Sequence, residues 1–522
     1  MLSQTTYPSE KEVQRSNSAF TPARLILFIA ALWCALWFVH SWHYWEDDAY
    51  IHLEFARSVA QGQGYAFNGQ LINGDTSPLW VLLLVAVHAI VPSWLVAGKI
   101  LAALGVVFAL SGAFFFSKRL TQGRSGSEAF AAAMVLLLAV SPYFCYWTFS
   151  GMEALTAAGV AFWCICAATA ERPTWTNFLT GCFLAGLAPV LRPEMVFFTA
   201  LASLLLLRQW LRLPQSKRPG AKLVVFLLGA LLVVTPLLLW STYAIHTFGH
   251  VIPNTNAAKR ANPGDSVPKR LLSVYSLGYP LIIVEVVGLA LFAALRPATI
   301  RKALKDSPLL QILPLGGWLF VVWTLITTAF YIADHTYVQT RYIFVNAPGL
   351  LIAVLALNYR QLPQWIYRVS LAGSLIAALT VSALTVWPFV RNKGIQDQAI
   401  AQMASFIRTL PPDAPVALYS IGEVAFDSQH PVIDTGGITR PGAIPHLGRP
   451  FIEMVIWAES EGAKYYWSHD RPEPGSTLVF SATVPEYGWS LNPRHYSQTG
   501  EIRLWKLPDH ATPEATSLPS TH

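Results

Sequence analysis

The sequence predicts a polytopic α-helical membrane protein that ends in a soluble α/β domain. Three observations predict it. Of 522 residues, 54% are hydrophobic and only 12% are charged, and the mean hydropathy is +0.43, which is the composition of a membrane protein. Apolar runs long enough to span a ~30 Å hydrocarbon core recur as far as Phe389. Residues 390–522 are polar throughout, hold no such run and have the size of one domain.

The elements follow in order. Residues 1–23 form a polar tail carrying Lys11 and Arg15, expected on the cytoplasmic side. Arg24 to Trp42 is too long for a secretory leader and lacks a small-residue cleavage site, so it is expected to stay as the first span. Candidate segments lie near 24–42, 78–92, 95–116, 129–142, 153–170, 177–191, 193–208, 222–245, 274–295, 309–332, 341–357 and 366–388. Loop 208–222 (Arg208, Arg212, Lys217, Arg218, Lys222), loop 296–308 (Arg296, Arg301, Lys302, Lys305) and loop 117–128 (Lys118, Arg119, Arg124) should be cytoplasmic. An outward loop 43–77 and an inward loop 117–128 require an odd number of crossings between them. Segment 78–92, short and bounded by Pro78 and Pro92, is therefore expected to be a surface or re-entrant helix. About eleven crossings then remain, giving a membrane module over 24–389 and an extracytoplasmic domain over 390–522. In that domain 395–409 and 451–462 read as helices, and 416–420, 477–481 and 501–507 as strands.

Other classes are excluded or weakened. The net charge of +7 is not gathered into a basic cluster with interleaved aromatics, so nucleic acid is not an expected partner. The cysteines Cys34, Cys145, Cys164, Cys166 and Cys182 lie in or beside apolar segments and suggest neither disulfides nor a zinc site. The chain shows no P-loop and no G-x-S-x-G; Gly62-Gln63-Gly64-Tyr65 follows no strand and reads as a turn. No fixed-period repeat is visible, which weakens a transporter built from inverted repeats.

The unusual polar residues gather in the loops assigned to the outer face. Asp47 and Asp48 stand side by side where the first span ends. One Asp suffices to cap a helix; two adjacent acids at an interface point to a general base or a cation anchor. An amphipathic helix over 50–61 follows, with Ile51, Phe55 and Val59 on one face and His52, Glu54, Arg57 and Ser58 away from it, as expected for a helix lying on the membrane with its polar side up. Asp48 and His52, at i and i+4, form a candidate pair for a divalent cation such as Mg, Mn or Ca. Glu153 either marks a helix start or adds a second acid to the site. Arg192-Pro193-Glu194 interrupts a long apolar stretch, as a turn that snorkels or as an arginine fork aimed at phosphate. The loop from Phe248 holds Asn254 and becomes basic through Lys259, Arg260, Lys269 and Arg270, against the positive-inside trend, which fits a lipid phosphate or anionic headgroups. Arg341-Tyr342 opens the segment at 341–357. Arg192, Lys259 and Arg341 around two acids form the pattern expected for displacing a phosphate leaving group.

The run D-D-A-Y-I-H-L-E-F-A-R-S-V-A-Q-G-Q-G-Y-A-F-N from Asp47, followed by T-S-P-L-W from Thr76, resembles the first outer loop of GT-C glycosyltransferases, in particular terminal β-arabinofuranosyltransferases that use polyprenyl-phosphoryl arabinose. S-G-M-E, L-R-P-E, F-G-H-V-I-P-N-T-N-A-A-K, T-R-Y, S-I-G-E-V-A-F and H-P-V-I-D-T-G-G-I-T resemble later motifs of that family in the same order. His250 replaces a commoner small or acidic residue, and Glu423 stands where Asp is usual. The resemblance spans residue 45 to about 445. It implies transfer of a sugar, most of all arabinofuranose, from a polyprenyl phosphate to an extracytoplasmic glycan, glycolipid or protein at a bacterial cytoplasmic membrane. Asp47 or Asp48 would act as base and Arg192, Lys259 and Arg341 would hold the phosphate. His52, Glu153, Glu194, Asn254 and Tyr342 are further site candidates. The rival readings are transfer of aminoarabinose or a hexose to lipid A or protein, and a non-catalytic flippase of lipid-linked sugars. A transporter would place its charged groups near the bilayer midplane, whereas here they gather at one face.

Overall fold

The computed structural model describes residues 21–214, 220–261, 313–335, 338–485 and 499–508. The expected span 274–295, the basic loop 296–308, Lys217, Arg218, Lys269, Arg270 and most of the tail 1–23 lie outside the described residues. The chain divides into two units. One takes the described residues of Met1–Trp42, Thr76–Tyr243 and Gly264–Val390; the other takes those of His43–Asp75, Ala244–Pro263 and Arg391–His522. The loop after the first apolar helix thus groups with the C-terminal segment.

Helix α1 (Pro22–His40) starts with Pro22 in its first turn, and the Thr21 hydroxyl accepts from the Arg24 N–H, a standard way to satisfy orphan donors. Helix α2 (Asp47–Ala60) and the hairpin of β1 (Ala66–Phe67) and β2 (Gln70–Leu71) belong to the second unit. Helix α3 (Pro78–His88) has 11 residues, roughly 16 Å of rise and too short to cross a bilayer. Helix α4 (Trp94–Leu120) is capped by Ser93 and ends on Lys118 and Arg119, where cations suit the helix dipole. The shorter apolar helices α5 (Ser127–Val140), α7 (Ala154–Ala168), α8 (Trp175–Leu191) and α9 (Met195–Leu211) follow, with a one-turn helix α6 (Pro142–Trp147) after α5. Helix α10 (Ala221–Phe248) exposes Leu223, Val224, Leu227, Leu231, Val234, Leu238 and Leu239; an apolar face of that length needs lipid to cover it. Helix α11 (Asn254–Ala261) belongs to the second unit, and α12 (Leu315–Asp334) returns to the first. Among the described residues, five helices are long and apolar enough to cross a membrane: α1, α4, α10, α12 and the continuous run Gln364–Ile407.

Close helix contact in the first unit uses missing side chains. A Cβ on Gly105 of α4 would lie 2.4 Å from Thr156 Oγ1, and one on Gly159 of α7 would lie 2.7 Å from Phe108. Small residues let membrane helices approach until backbone and side chains interlock.

One expectation about the helices needs correction. The segment 341–357 is not one helix: α13 (Thr340–Phe344) ends before Asn346, and α14 (Ala347–Gln361) starts anew with Pro348 in its first turn. Arg341 therefore sits on a separate short helix and opens no span. The expected boundary at 389/390 lies one residue from the division between the two units at Val390/Arg391; it falls inside a helical run in which α15 (Gln364–Val381), a π turn (Ser382–Val386) and α16 (Trp387–Ile407) follow without a loop.

The second unit holds a five-stranded sheet in the order β4-β3-β5-β7-β6. Here β3 is Val416–Leu418, β4 Val432–Asp434, β5 Tyr465–Trp467, β6 Thr477–Pro485 and β7 Thr499–Lys506. Strand β3 pairs in parallel with β4 and β5, and β7 pairs antiparallel with β5 and β6. Helix α17 (Gly422–Ser428) connects β3 to β4, and α18 (Phe451–Ser460) precedes β5. Ala417, Ile433, Val455, Trp457, Ala458 and Tyr466 share its core. The amphipathic reading of α2 is also corrected. His52, Glu54 and Ser58 are buried along with Ile51 and Phe55. The polar side faces protein rather than water: Arg57 donates to the Phe426 carbonyl at 2.8 Å and pairs with Glu54.

A Gly105→Leu substitution is expected to lower the unfolding temperature of the detergent-purified protein, as overpacking costs roughly 1–3 kcal/mol. Gly373→Ala, where a Cβ meets nothing within 4 Å, is the matched control. Equal melting curves for the two would show that the α4–α7 contact is not tight.

Candidate functional site

Among the described residues, charged side chains gather in both units. In the second, α2 begins with Asp47 and Asp48 in its first turn. The Gly422 N–H donates to Asp47 Oδ2 at 3.1 Å and the Glu423 N–H to Oδ1 at 3.1 Å. Asp47 thus caps α17, a helix 375 residues away in sequence, rather than its own. A Cβ on Gly422 would stand 2.0 Å from the Asp47 carbonyl oxygen, so this approach requires glycine. Asp397 accepts from the Trp45 N–H at 3.0 Å and pairs with Lys393.

Burial, and for Asp47 and Glu423 the crowding of acids, shapes the protonation of this cluster. Burial, then Asp48, pushes Asp47 up to about 6, against the two backbone donors and Lys393. Burial raises Glu423 well above the usual carboxylate range; Asp397, Asp427 and Asp47 add to it and Lys393 opposes. Burial also raises Asp427 to about 6, against Arg408 and Arg57.

His52 Nδ1 lies 2.5 Å from Asp75 Oδ2, and both side chains are buried. The structure thus pairs His52 with an acid that the sequence analysis did not single out. Among the described residues no group of three or more His, Cys, Asp or Glu is placed to hold a metal ion. Asn254 starts α11: its N–H donates to the Asn73 carbonyl at 2.9 Å, Thr255 donates to the Gly74 carbonyl at 2.7 Å, and Asn73 donates to the carbonyls of His250 and Val251. Lys259 lies one turn beyond Thr255 on the same helix, half-buried.

The first unit brings together Glu153, Arg192, Glu194, Arg341 and Tyr342. Arg192 is 3% exposed, so it does not snorkel. Its Nε donates to Glu194 Oε1 at 2.5 Å and its Nη1 to Glu153 Oε1. Its guanidinium carbon lies 5.2 Å from the centre of the Tyr342 ring, and that of Arg341 lies 5.4 Å from the same ring. Arg341 also reaches the Trp147 ring at 6.0 Å and the Met152 sulfur at 3.8 Å. Two arginines and two carboxylates form a group with no net charge, in which Arg192 is committed to both acids. Sequence reasoning missed Trp147, Asp75, Asp397 and Lys393. Only the i, i+4 spacing of Lys393 and Asp397 left a signal.

A family described as a domain of unknown function, DUF8728, matches residues 389–516. No curated protein matches the chain. Among solved structures, ArnT from Cupriavidus metallidurans bound to undecaprenyl phosphate is 13% identical, with a TM-score of 0.51 over 94% of this chain and 99% of that one. The Archaeoglobus fulgidus oligosaccharyltransferase in its apo form is 10% identical, with a TM-score of 0.50 over 86% of this chain and 69% of that one. The arabinofuranosyltransferase AftD from Mycobacteria is 14% identical, covering 92% of this chain and 40% of that one at a TM-score of 0.43, a score that carries no weight for sugar specificity.

Asp47 supplies a pH test. Its folded value of about 6 lies above the ordinary 3.8, so the folded chain binds this proton more tightly than the unfolded one. The resulting stabilisation is complete below the ordinary value and is lost as pH rises through the folded value. Thermal unfolding in detergent across that interval is expected to show a fall in Tm with rising pH that is shallower in Asp47→Asn. Parallel slopes would show that Asp47 holds no shifted proton. The likeness to ArnT and to the oligosaccharyltransferase shows that the chain has their fold, the GT-C fold, and its long apolar helices are those of a multi-pass membrane protein.

Proposed function

We propose that the chain is a glycosyltransferase that moves a sugar from a polyprenyl phosphate to an acceptor hydroxyl on the extracytoplasmic side of the membrane, arabinofuranose being the sugar that the first-loop motif favours. The observation that carries this reading is the pair Asp47-Asp48 opening α2 within a GT-C fold. The undecaprenyl phosphate bound to ArnT supports a lipid-linked donor. The chemistry needs three things: a base for the acceptor hydroxyl, positive charge for the leaving phosphate, and a bilayer for the lipid tail.

Asp48 is the base in this reading. Asp47 spends both oxygens on the N–H groups of Gly422 and Glu423, which makes it a positioning group. The acceptor oxygen forms its bond to the anomeric carbon while the bond from that carbon to the phosphate oxygen breaks. The electron pair leaves with the polyprenyl phosphate, and the hydroxyl proton passes to Asp48. Arg341 supplies charge to the phosphate in this reading, and Arg192 is held by Glu153 and Glu194. Lys259 and Arg260 close α11 with positive charge, suited to anionic lipid headgroups.

The test is turnover by purified protein in detergent with radiolabelled polyprenyl-phosphoryl arabinofuranose, aminoarabinose and mannose, and membrane extract as acceptor. Asp48→Asn is expected to reduce transfer by roughly 100-fold or more in a protein that still melts cooperatively. Arg341→Ala is expected to impair donor saturation more than acceptor saturation. Wild-type turnover by the Asp48 variant would remove it from the mechanism. Consumption of aminoarabinose or mannose in place of arabinofuranose would assign the rival transfer. Transbilayer movement of a lipid-linked sugar in vesicles without any transfer would establish the flippase.

A further inference from the structure

Lys99 lies in the second turn of α4, in the membrane-embedded unit, and is 1% exposed. Its ammonium donates to the Phe149 carbonyl at 2.6 Å and to the Ser41 carbonyl at 2.9 Å. A cation buried among membrane helices is unfavourable, and a methionine would fill the same volume without that penalty. Packing alone therefore does not account for a lysine here. What it holds gives the account.

Phe149 belongs to the link between α6 and α7. That link turns through Gly151, whose φ of +87° is a glycine conformation. It is gripped a second time where the Trp80 indole N–H donates to the Gly151 carbonyl at 3.1 Å. The next two residues are the ones that meet the arginines: Met152 faces Arg341, and Glu153 takes a hydrogen bond from Arg192. Two buried donors, Lys99 and Trp80, thus fix the backbone from which the arginine cluster is built.

We propose that Lys99 is a positioning residue for the donor phosphate. It sets the backbone at Phe149 so that Met152 and Glu153 place Arg341 and Arg192. This rests on the reading of Arg341 as the group that meets the phosphate. Lys99 itself touches no reacting atom.

The test measures binding of undecaprenyl phosphate to the full-length protein in detergent, followed by donor and acceptor kinetics. Lys99→Met is expected to weaken binding of this lipid roughly tenfold or more and to raise donor KM while leaving acceptor KM near wild type. Lys99→Arg, which keeps the charge, should recover part of the loss. Lys99→Met combined with Glu153→Gln should lose less than the sum of the single changes, because both act on one link. Trp80→Phe removes the second grip and should shift donor binding in the same direction; it decides the matter if Lys99→Met does not fold. Wild-type lipid binding by folded Lys99→Met, or by Trp80→Phe in that case, while Arg341→Ala binds weakly, would overturn the positioning role alone. Equal losses in donor and acceptor use, additive with Glu153→Gln, would also overturn it. Undiminished binding by Arg341→Ala would overturn the phosphate reading and this proposal with it.

Discussion

The clasp of the Asp47 carboxylate by two backbone N–H groups is the contact on which the second unit depends. It ties the first turn of α2 to the first turn of α17, joining the loop after the first apolar helix to a domain that the chain reaches only after all its long apolar helices. Charged acceptors on backbone donors give stronger hydrogen bonds than neutral pairs. The approach is close enough that Gly422 has no room for a side chain. Around this clasp Asn68 donates to the His430 carbonyl and accepts from the Val432 N–H, and Arg57 packs 4.8 Å from the centre of the Phe426 ring. The position of Asp48, one residue on, is inherited from these contacts.

That arrangement explains why the two aspartates are not equivalent, and why sequence alone presented them as a pair. The partners of Asp47 are main-chain groups, which leave no trace in residue type. The same limit hid the use of Lys99, whose partners at Ser41 and Phe149 are carbonyls. By contrast, the apolar helices were legible because burial in lipid demands long runs of one character, and the shortness of α3 was visible from Pro78 and Pro92. Helix α2 was misread for a different reason: amphipathicity reports two unlike faces but not whether the polar one meets water or the rest of the fold. Strands β4 and β5 have three residues each, too few for alternation to register. The break at Val345-Asn346 carries no glycine to mark it, so α13 merged with α14 in the sequence reading.

The site candidates divide along the same line. Glu153, Arg192, Glu194, Arg341 and Tyr342 were each ambiguous when read singly, since every one has an interfacial explanation. Their convergence is what the structure adds. Arg192 is a planar cation whose Nε and Nη1 are taken by different carboxylates. A buried arginine so neutralised is a rigid support rather than a free charge. Arg341 makes its described contacts with rings and a thioether. Those contacts orient its guanidinium.

This difference bears on how an anion can be bound and then released. A site with two uncompensated arginines would bind a phosphate tightly in a medium of low dielectric and would hold the product lipid as firmly as the donor. In the proposed mechanism, offsetting Arg192 by Glu153 and Glu194 lowers the positive charge that the phosphate meets. The attraction that grows as negative charge builds on the leaving oxygen is then the larger part of the interaction. Binding that strengthens toward the transition state accelerates the reaction, whereas uniform binding only lowers KM. On this argument Glu153 and Glu194 are not spectators to a phosphate site.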